Sequence, residues 1–423
     1  MSELDDLRKL RERYGLKLGT QGLHPRPAAS GPAPAQPLPP RGRIEDWVAG
    51  QPIETAFGTC FLAEARYGLA QRHGELPLGA LLEHQPIALA PLAGEMPLTA
   101  ADFRQLAFLD TETTGLAGGT GTYAFLVGLG VFEDGEFVIR QYFMRDIPEE
   151  GAMLSLVRQM LEPRTGLITF NGRAFDWPLL ETRFAMNRQA APAVGACHLD
   201  LLLPARRLWR LRLQSCALSS LEEHVLGVQR GEDDVPGWAI PGLYRDYLAF
   251  GSARPLRKVF YHNAHDILSL ATLAAWLCQS LREPLQALQH AEDLFSLGRQ
   301  MEAQGNPEMA AQLYERCLRC QAPARVRREA AHRLSHLHRR AGEAEKALAL
   351  WHSLAERGDL QACLELAKHY EHRLKDLPLA RTMARRALAL LHEQRYPDRR
   401  KLAEVERRLA RLEAKEKRRR GDA

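Results

Sequence analysis

Apolar positions recur along this chain with two different rhythms, and the place where the rhythm changes divides it. From Leu106 to Leu199 they come in short unbroken runs bounded by turn residues, the pattern of buried strands. Leu106-Ala107-Phe108-Leu109 is the first run. Tyr123–Phe132 and Phe137–Met144 are two more, joined at Asp134-Gly135 as in a hairpin. Glu149–Leu161 has helical spacing. Gly166–Phe170 reads as a strand that meets an Asn171-Gly172 turn and a helix start, and a last strand is expected near Val194 to Leu199. Three sequential strands, then helix, strand, helix, strand and further helices, describe a mixed α/β sheet.

Past Leu281 the strand signals stop, and Ala, Leu and Arg dominate. Gly305-Asn306-Pro307-Glu308-Met309-Ala310 aligns with Gly342-Glu343-Ala344-Glu345-Lys346-Ala347 and with Lys375-Asp376-Leu377-Pro378-Leu379-Ala380. The copies stand roughly 37 and 33 residues apart, bracketing the 34-residue tetratricopeptide unit. Such helix pairs stack into a short solenoid, which either captures a peptide or braces the fold. On the N-terminal side, residues 4–14 have the spacing of a short amphipathic helix, and Pro25 to Pro40 hold seven prolines, a linker composition. Ile53 to Leu92 reads as a small β-rich extension. The expected division is 1–50, 51–97, 98–282 and 283–423.

Composition changes this picture little. Hydrophobic residues make up 45% and charged residues 26% of 423 residues, ample for a sizeable core. Seven scattered cysteines suit a reduced, cytoplasmic protein better than a disulfide scaffold. No apolar run approaches the roughly 20 residues that span a bilayer, so no membrane partner is expected. A net charge of +5 permits a nucleic-acid partner without requiring one. From Arg399 to Arg420, eleven basic residues face four acidic ones, which suits either phosphate contact or a solvated helix.

The chemistry starts where the first apolar run ends, at Asp110-Thr111-Glu112-Thr113-Thr114-Gly115-Leu116. In a strand, residues i and i+2 share a face, so Asp110 and Glu112 point the same way. Two carboxylates side by side repel unless a cation lies between them, and hard divalent ions accept such oxygen ligands. The triplet alone equally describes two solvated acids opening a loop. Asp176 adds weight because it falls near the first turn of a helix, the positive end of its dipole. Asp266 adds more, standing near the start of a long apolar helix where an unpaired carboxylate is costly. The glycines after Leu116 fit no phosphate-cradling pattern.

These segments resemble the motifs of the four-acid (DEDD) exonuclease superfamily on the ribonuclease H-like fold. Asp110 to Leu116 looks like its first motif, Asn171-Gly172-Arg173-Ala174-Phe175-Asp176 like its second, and the segment ending in Asp266 like its third. Leu201 to Trp209, Asp234-Val235-Pro236-Gly237 and Tyr261-His262-Asn263 are closer still to the YprB-type ribonuclease H-like proteins, which often carry a tetratricopeptide-like tail. The resemblance spans roughly residues 50–280. It implies two-metal hydrolysis of phosphodiesters by Mg²⁺ or Mn²⁺. Asp110, Glu112 and Asp266 would hold one ion, Asp110 would bridge to the second, and Asp176 would complete the set. Thr111, Leu116 and Asn171 would touch the substrate.

One departure concerns the group that orients the water. Subclasses of the superfamily place a His five residues, or a Tyr four residues, before the last acid. Here Tyr261 is five before and His262 four before. On a helix, His262 lies within about 40° of Asp266 and Tyr261 about 140° away, so His262 is expected to act, with a packing role as the alternative. Arg206 and Arg207, with Arg210 and Arg212, suit phosphate contacts or a solvated helix face. Asp200 reads as structural, and Glu232, Asp233 and Asp234 as a loop. The sequence therefore predicts a metal-dependent nuclease, a 3′-to-5′ exonuclease on single-stranded DNA or RNA. A structure-selective endonuclease, and a silent nucleic-acid-binding adaptor whose repeats recruit a protein, stand as alternatives.

Overall fold

The computed structural model describes residues 42–94, 102–115, 121–194 and 197–421. The expected N-terminal helix, the proline-rich linker and Leu116 lie outside the described residues. Nine strands are described: β1 (Gln51–Thr55), β2 (Gly58–Gly68), β3 (Arg72–His73), β4 (Leu76–Pro77), β5 (Leu106–Thr113), β6 (Ala124–Glu133), β7 (Glu136–Phe143), β8 (Gly166–Thr169) and β9 (Cys197–Asp200). Seven of them form one sheet in the order β1-β2-β7-β6-β5-β8-β9, and β3 and β4 pair separately. β5 runs antiparallel to β6 and parallel to β8. The mixed sheet and its strand sequence are as expected. Within the segment expected as a small β-rich extension, β1 and β2 extend the main sheet past β7, and short helical turns fill Leu78–Ala93.

The central strand is buried because it is apolar on both faces: Leu106, Ala107, Phe108 and Leu109 are all buried. Helix α1 (Glu150–Leu161) and helix α2 (Asp176–Met186) contribute Leu154, Val157, Leu180 and Phe184 to the core that holds Leu109. Helices α3 (Leu202–Trp209), α4 (Ile240–Phe250) and α5 (Leu256–Arg282) follow. Trp209 and Tyr244 are wholly buried and serve packing. α5 is apolar nearly all round after Asp266, as expected for a helix enclosed on every side.

The C-terminal region is helical. Three helix pairs, Ala291–Ala303 with Pro307–Arg319, Ala324–Arg340 with Ala344–Glu356, and Leu360–His369 with Leu377–His392, precede a final helix, Arg399–Arg420. The three aligned sequence copies all begin at the turn inside a pair, where Gly305, Gly342 and Lys375 adopt positive φ. Ala310, Ala347 and Ala380 are fully buried at the close approach that follows. One apolar cluster contains Leu273 and Leu277 of α5 together with Leu294, Leu297 and Leu313, so the core runs on from α5 into the first pair. The basic helix is packed: Val405 and Leu412 are buried, and Arg408, Arg411 and Lys415 converge on the buried Glu371.

One row across the sheet ties fold to site. Asp110 pairs with Gly128, and Gly128 with Gln141. The side chain of Asn263 on α5 lies directly over Gly128, in the space a Cβ there would need, with Ile267 beside it. Gly128→Ala is therefore expected to overpack a closed core and destabilise the protein by about 1–3 kcal/mol. Urea denaturation of the variant beside wild type checks this.

Candidate active site

The site forms where β5 stops being apolar. Asp110 and Glu112 stand two apart on β5, and a register shift against β6 lies between Glu112 and Thr113, a bulge of the kind that re-aims side chains at sheet ends. Asp176 is the first residue of α2. The turn before it is fixed by Asp200 at the end of β9, which accepts from the backbone N–H of Asn171 (2.8 Å), Arg173 (3.2 Å) and Leu202 (3.0 Å). Asn171 takes the left-handed conformation that this turn requires, at φ 66°. The Thr111 hydroxyl donates to Asp176 Oδ1. Asp266 reaches the site from α5, about three turns into that helix.

The electrostatics bind the four acids into one group. Burial, then the charges of Asp266, Glu112 and Asp176, push the Asp110 carboxyl well above its ordinary value. Burial, Asp266 and Asp176 do the same to Glu112. Burial raises Asp176 to about 6 against the hydrogen bond from Thr111, and burial also raises Asp266. Charges repel measurably only at short range in a poorly solvated place, so the mutual shifts report proximity. The structure thus brings together Asp110, Glu112, Asp176 and Asp266 from three separate segments.

Two partners of this group were not among the expected site residues. Asn263 Nδ2 donates to Asp110 Oδ2 (2.8 Å) and to its carbonyl (3.2 Å), while Asn263 Oδ1 accepts from Gln141 Nε2 (2.9 Å). Arg230 bonds Asp266, chelates Glu222 through Nε (2.6 Å) and Nη2 (2.7 Å), and lies 3.4 Å from Asp234 Oδ2. Asn263 stands three residues before Asp266 on one helical face, a spacing that would have pointed to it. Arg230 lies in a loop at least 36 residues from each of the four acids in sequence, and only the fold delivers it.

His262 Nδ1 lies 2.8 Å from Asp234 Oδ1 and 2.9 Å from Arg230 Nη1, and its Nε2 is 3.8 Å from Asp266 Oδ2. Tyr261 instead packs on His265, ring centroids 5.1 Å apart. Beside the Asn171 turn is an open cavity of about 650 Å³ lined by Phe170, Asn171, Leu202, Arg206 and Arg210 among others. Arg207 turns the other way and donates to the Leu92 carbonyl at 2.8 Å.

Comparison with known proteins gives a consistent picture. Residues 107–278 match the RNase_H superfamily. The uncharacterized protein YprB of Bacillus subtilis (strain 168) is 31% identical over 364 residues, covering 82% of this chain and 85% of that protein. No described helix is long and apolar enough to cross a membrane.

The raised Asp176 carboxyl makes stability pH-dependent. Between its ordinary 3.8 and about 6, the folded ion-free chain keeps a proton that the unfolded chain has released. Stability therefore falls as pH rises through that window. Asp176→Asn in chelator should match wild type below about pH 4 and exceed it by roughly 1–3 kcal/mol above about pH 6. Denaturation at the two pH values checks the sign.

Proposed function

Since the chain belongs to the ribonuclease H superfamily, we propose that it is a divalent-metal-dependent nuclease, specifically a 3′-to-5′ exonuclease of the four-acid type acting on single-stranded DNA or RNA ends. The carrying observation is the set of four largely shielded carboxylates, each raised by burial and two of them, Asp110 and Glu112, also by the charges of the others. Arg230 is the guanidinium bonded to this group, and it shares its charge with Glu222 and Asp234. The set is short of positive charge, and its donors are hard oxygens. That combination fits Mg²⁺ or Mn²⁺.

In this reading Asp110, Glu112, Asp176 and Asp266 would hold two ions, which would supply Lewis-acid activation of water and charge stabilisation at the leaving oxygen. Asn263 fixes the rotamer of Asp110. The Thr111 hydroxyl and the positive end of α2 keep Asp176 aimed inward. Arg230 holds Asp266. Asp234 accepts from His262 Nδ1–H, which leaves the Nε2 lone pair on the Asp266 side. His262 then orients the attacking water and takes its proton. Arg206 and Arg210 meet strand phosphates in the neighbouring cavity, beside Asn171. The C-terminal helix pairs, read as tetratricopeptide-like, give a protein partner a second surface.

End-labelled single-stranded DNA and RNA oligonucleotides should shorten from the 3′ end with Mg²⁺ or Mn²⁺ and stay whole in chelator. Asp110→Ala should lose at least about 100-fold, the scale of perturbing a metal site. His262→Ala should lose about 10²–10⁴-fold in kcat. Unchanged turnover in Asp110→Ala would overturn the assignment. Cleavage of a circular strand would convert the exonuclease reading into an endonuclease.

A further inference from the structure

A second cluster of ligating side chains lies behind the acids, outside the machinery just described. A ring nitrogen of His73, a ring nitrogen of His265 and a carboxylate oxygen of Glu222 all lie within 4.8 Å of one another. They come from three elements far apart in sequence: the β3 strand of the small hairpin, α5, and a π-helical turn at Glu222–Leu226. Irregular π turns of this kind occur often at functional sites.

We infer that His73, His265 and Glu222 bind one divalent transition ion of the zinc class, distinct from the hard ions of the acid group. Two imidazoles and a carboxylate are the donor set that selects zinc-like ions over Mg²⁺. Hydrogen bonding does not complete the cluster without an ion: the buried His265 Nδ1 has no partner. Leaving such an atom unsatisfied is unfavourable. The two rings already meet edge to face, with 4.7 Å between centroids.

The surroundings supply the outer support that ligands need. The Ser269 hydroxyl donates to Glu222 Oε1 (2.5 Å) and contacts His73 Nε2 (2.7 Å), so it orients both side chains. Arg230 holds Glu222 from its far side and is itself matched by Asp266 and Asp234. An ion here therefore meets no uncompensated positive charge. It would pin the β3–β4 hairpin to α5, and through Glu222 it would stiffen the guanidinium arm that holds Asp266.

The inference is independent of the nuclease reading, and it is tested on the full chain carrying Asp110→Ala, in excess Mg²⁺ to occupy remaining hard sites. After chelator treatment and dialysis against Zn²⁺, metal analysis should find one zinc per chain. Replacing Zn²⁺ with Co²⁺ should give the visible absorption of a low-coordinate nitrogen and oxygen site. Adding His73→Gln should remove both signals and the rise in melting temperature that Zn²⁺ produces. No bound zinc in the Asp110→Ala protein, which needs no further variant to interpret, would overturn the proposal. So would equal zinc content with and without His73→Gln.

Discussion

Four negative side chains crowded at one end of a buried strand are the constraint to which the rest of this molecule answers. Carboxylates deprived of water and facing one another disfavour their own ionised form, and here burial raises all four while the charges of the others raise Asp110 and Glu112 further. A fold tolerates that arrangement only if its surroundings hold the groups against their tendency to separate. The apolar body of β5 does so from below, since Leu106 to Leu109 cannot leave the core. The strand end is thereby as fixed as the core itself.

The polar support is layered. Asn263 couples Asp110 to Gln141 two strands away, across a Gly128 with no side chain to interfere. Asp200 holds two backbone N–H groups of the turn that delivers Asp176 and a third at the start of α3. Arg230 joins Asp266 to Glu222, and Ser269 joins Glu222 to His73. Charge at the strand end is thus connected by hydrogen bonds to the β3–β4 hairpin. Buried networks of this kind are costly when partly satisfied and rigid when complete.

The helical region is joined to this body by apolar packing. The first helix pair shares a cluster with α5, and Arg212 just beyond α3 pairs with the buried Asp293 at 2.8 Å. Further along, the basic final helix spends much of its charge on Glu371, whose carboxyl is held down to about 2 by Arg411 and Lys415 against the effect of burial. Its outward-facing Lys and Arg are what remain for any phosphate.

The local pattern of the chain was enough to determine the mixed sheet, the hairpin at Asp134-Gly135, the helix bearing Asp176 and the repeat turns at Gly305, Gly342 and Lys375. Strand and helix periods act over a few residues and are written directly in the order of side chains. The alternation of Asp110 and Glu112 was legible for the same reason. Arg230, Glu222, His73 and Gln141 were not, nor was the way β1 and β2 join the main sheet, nor the turning of Arg207 away from Arg206. Each of these depends on which distant segment the folded core brings alongside, and no local period records that. The acids were readable because their own neighbours in sequence are apolar; the groups that restrain them were decided by packing alone.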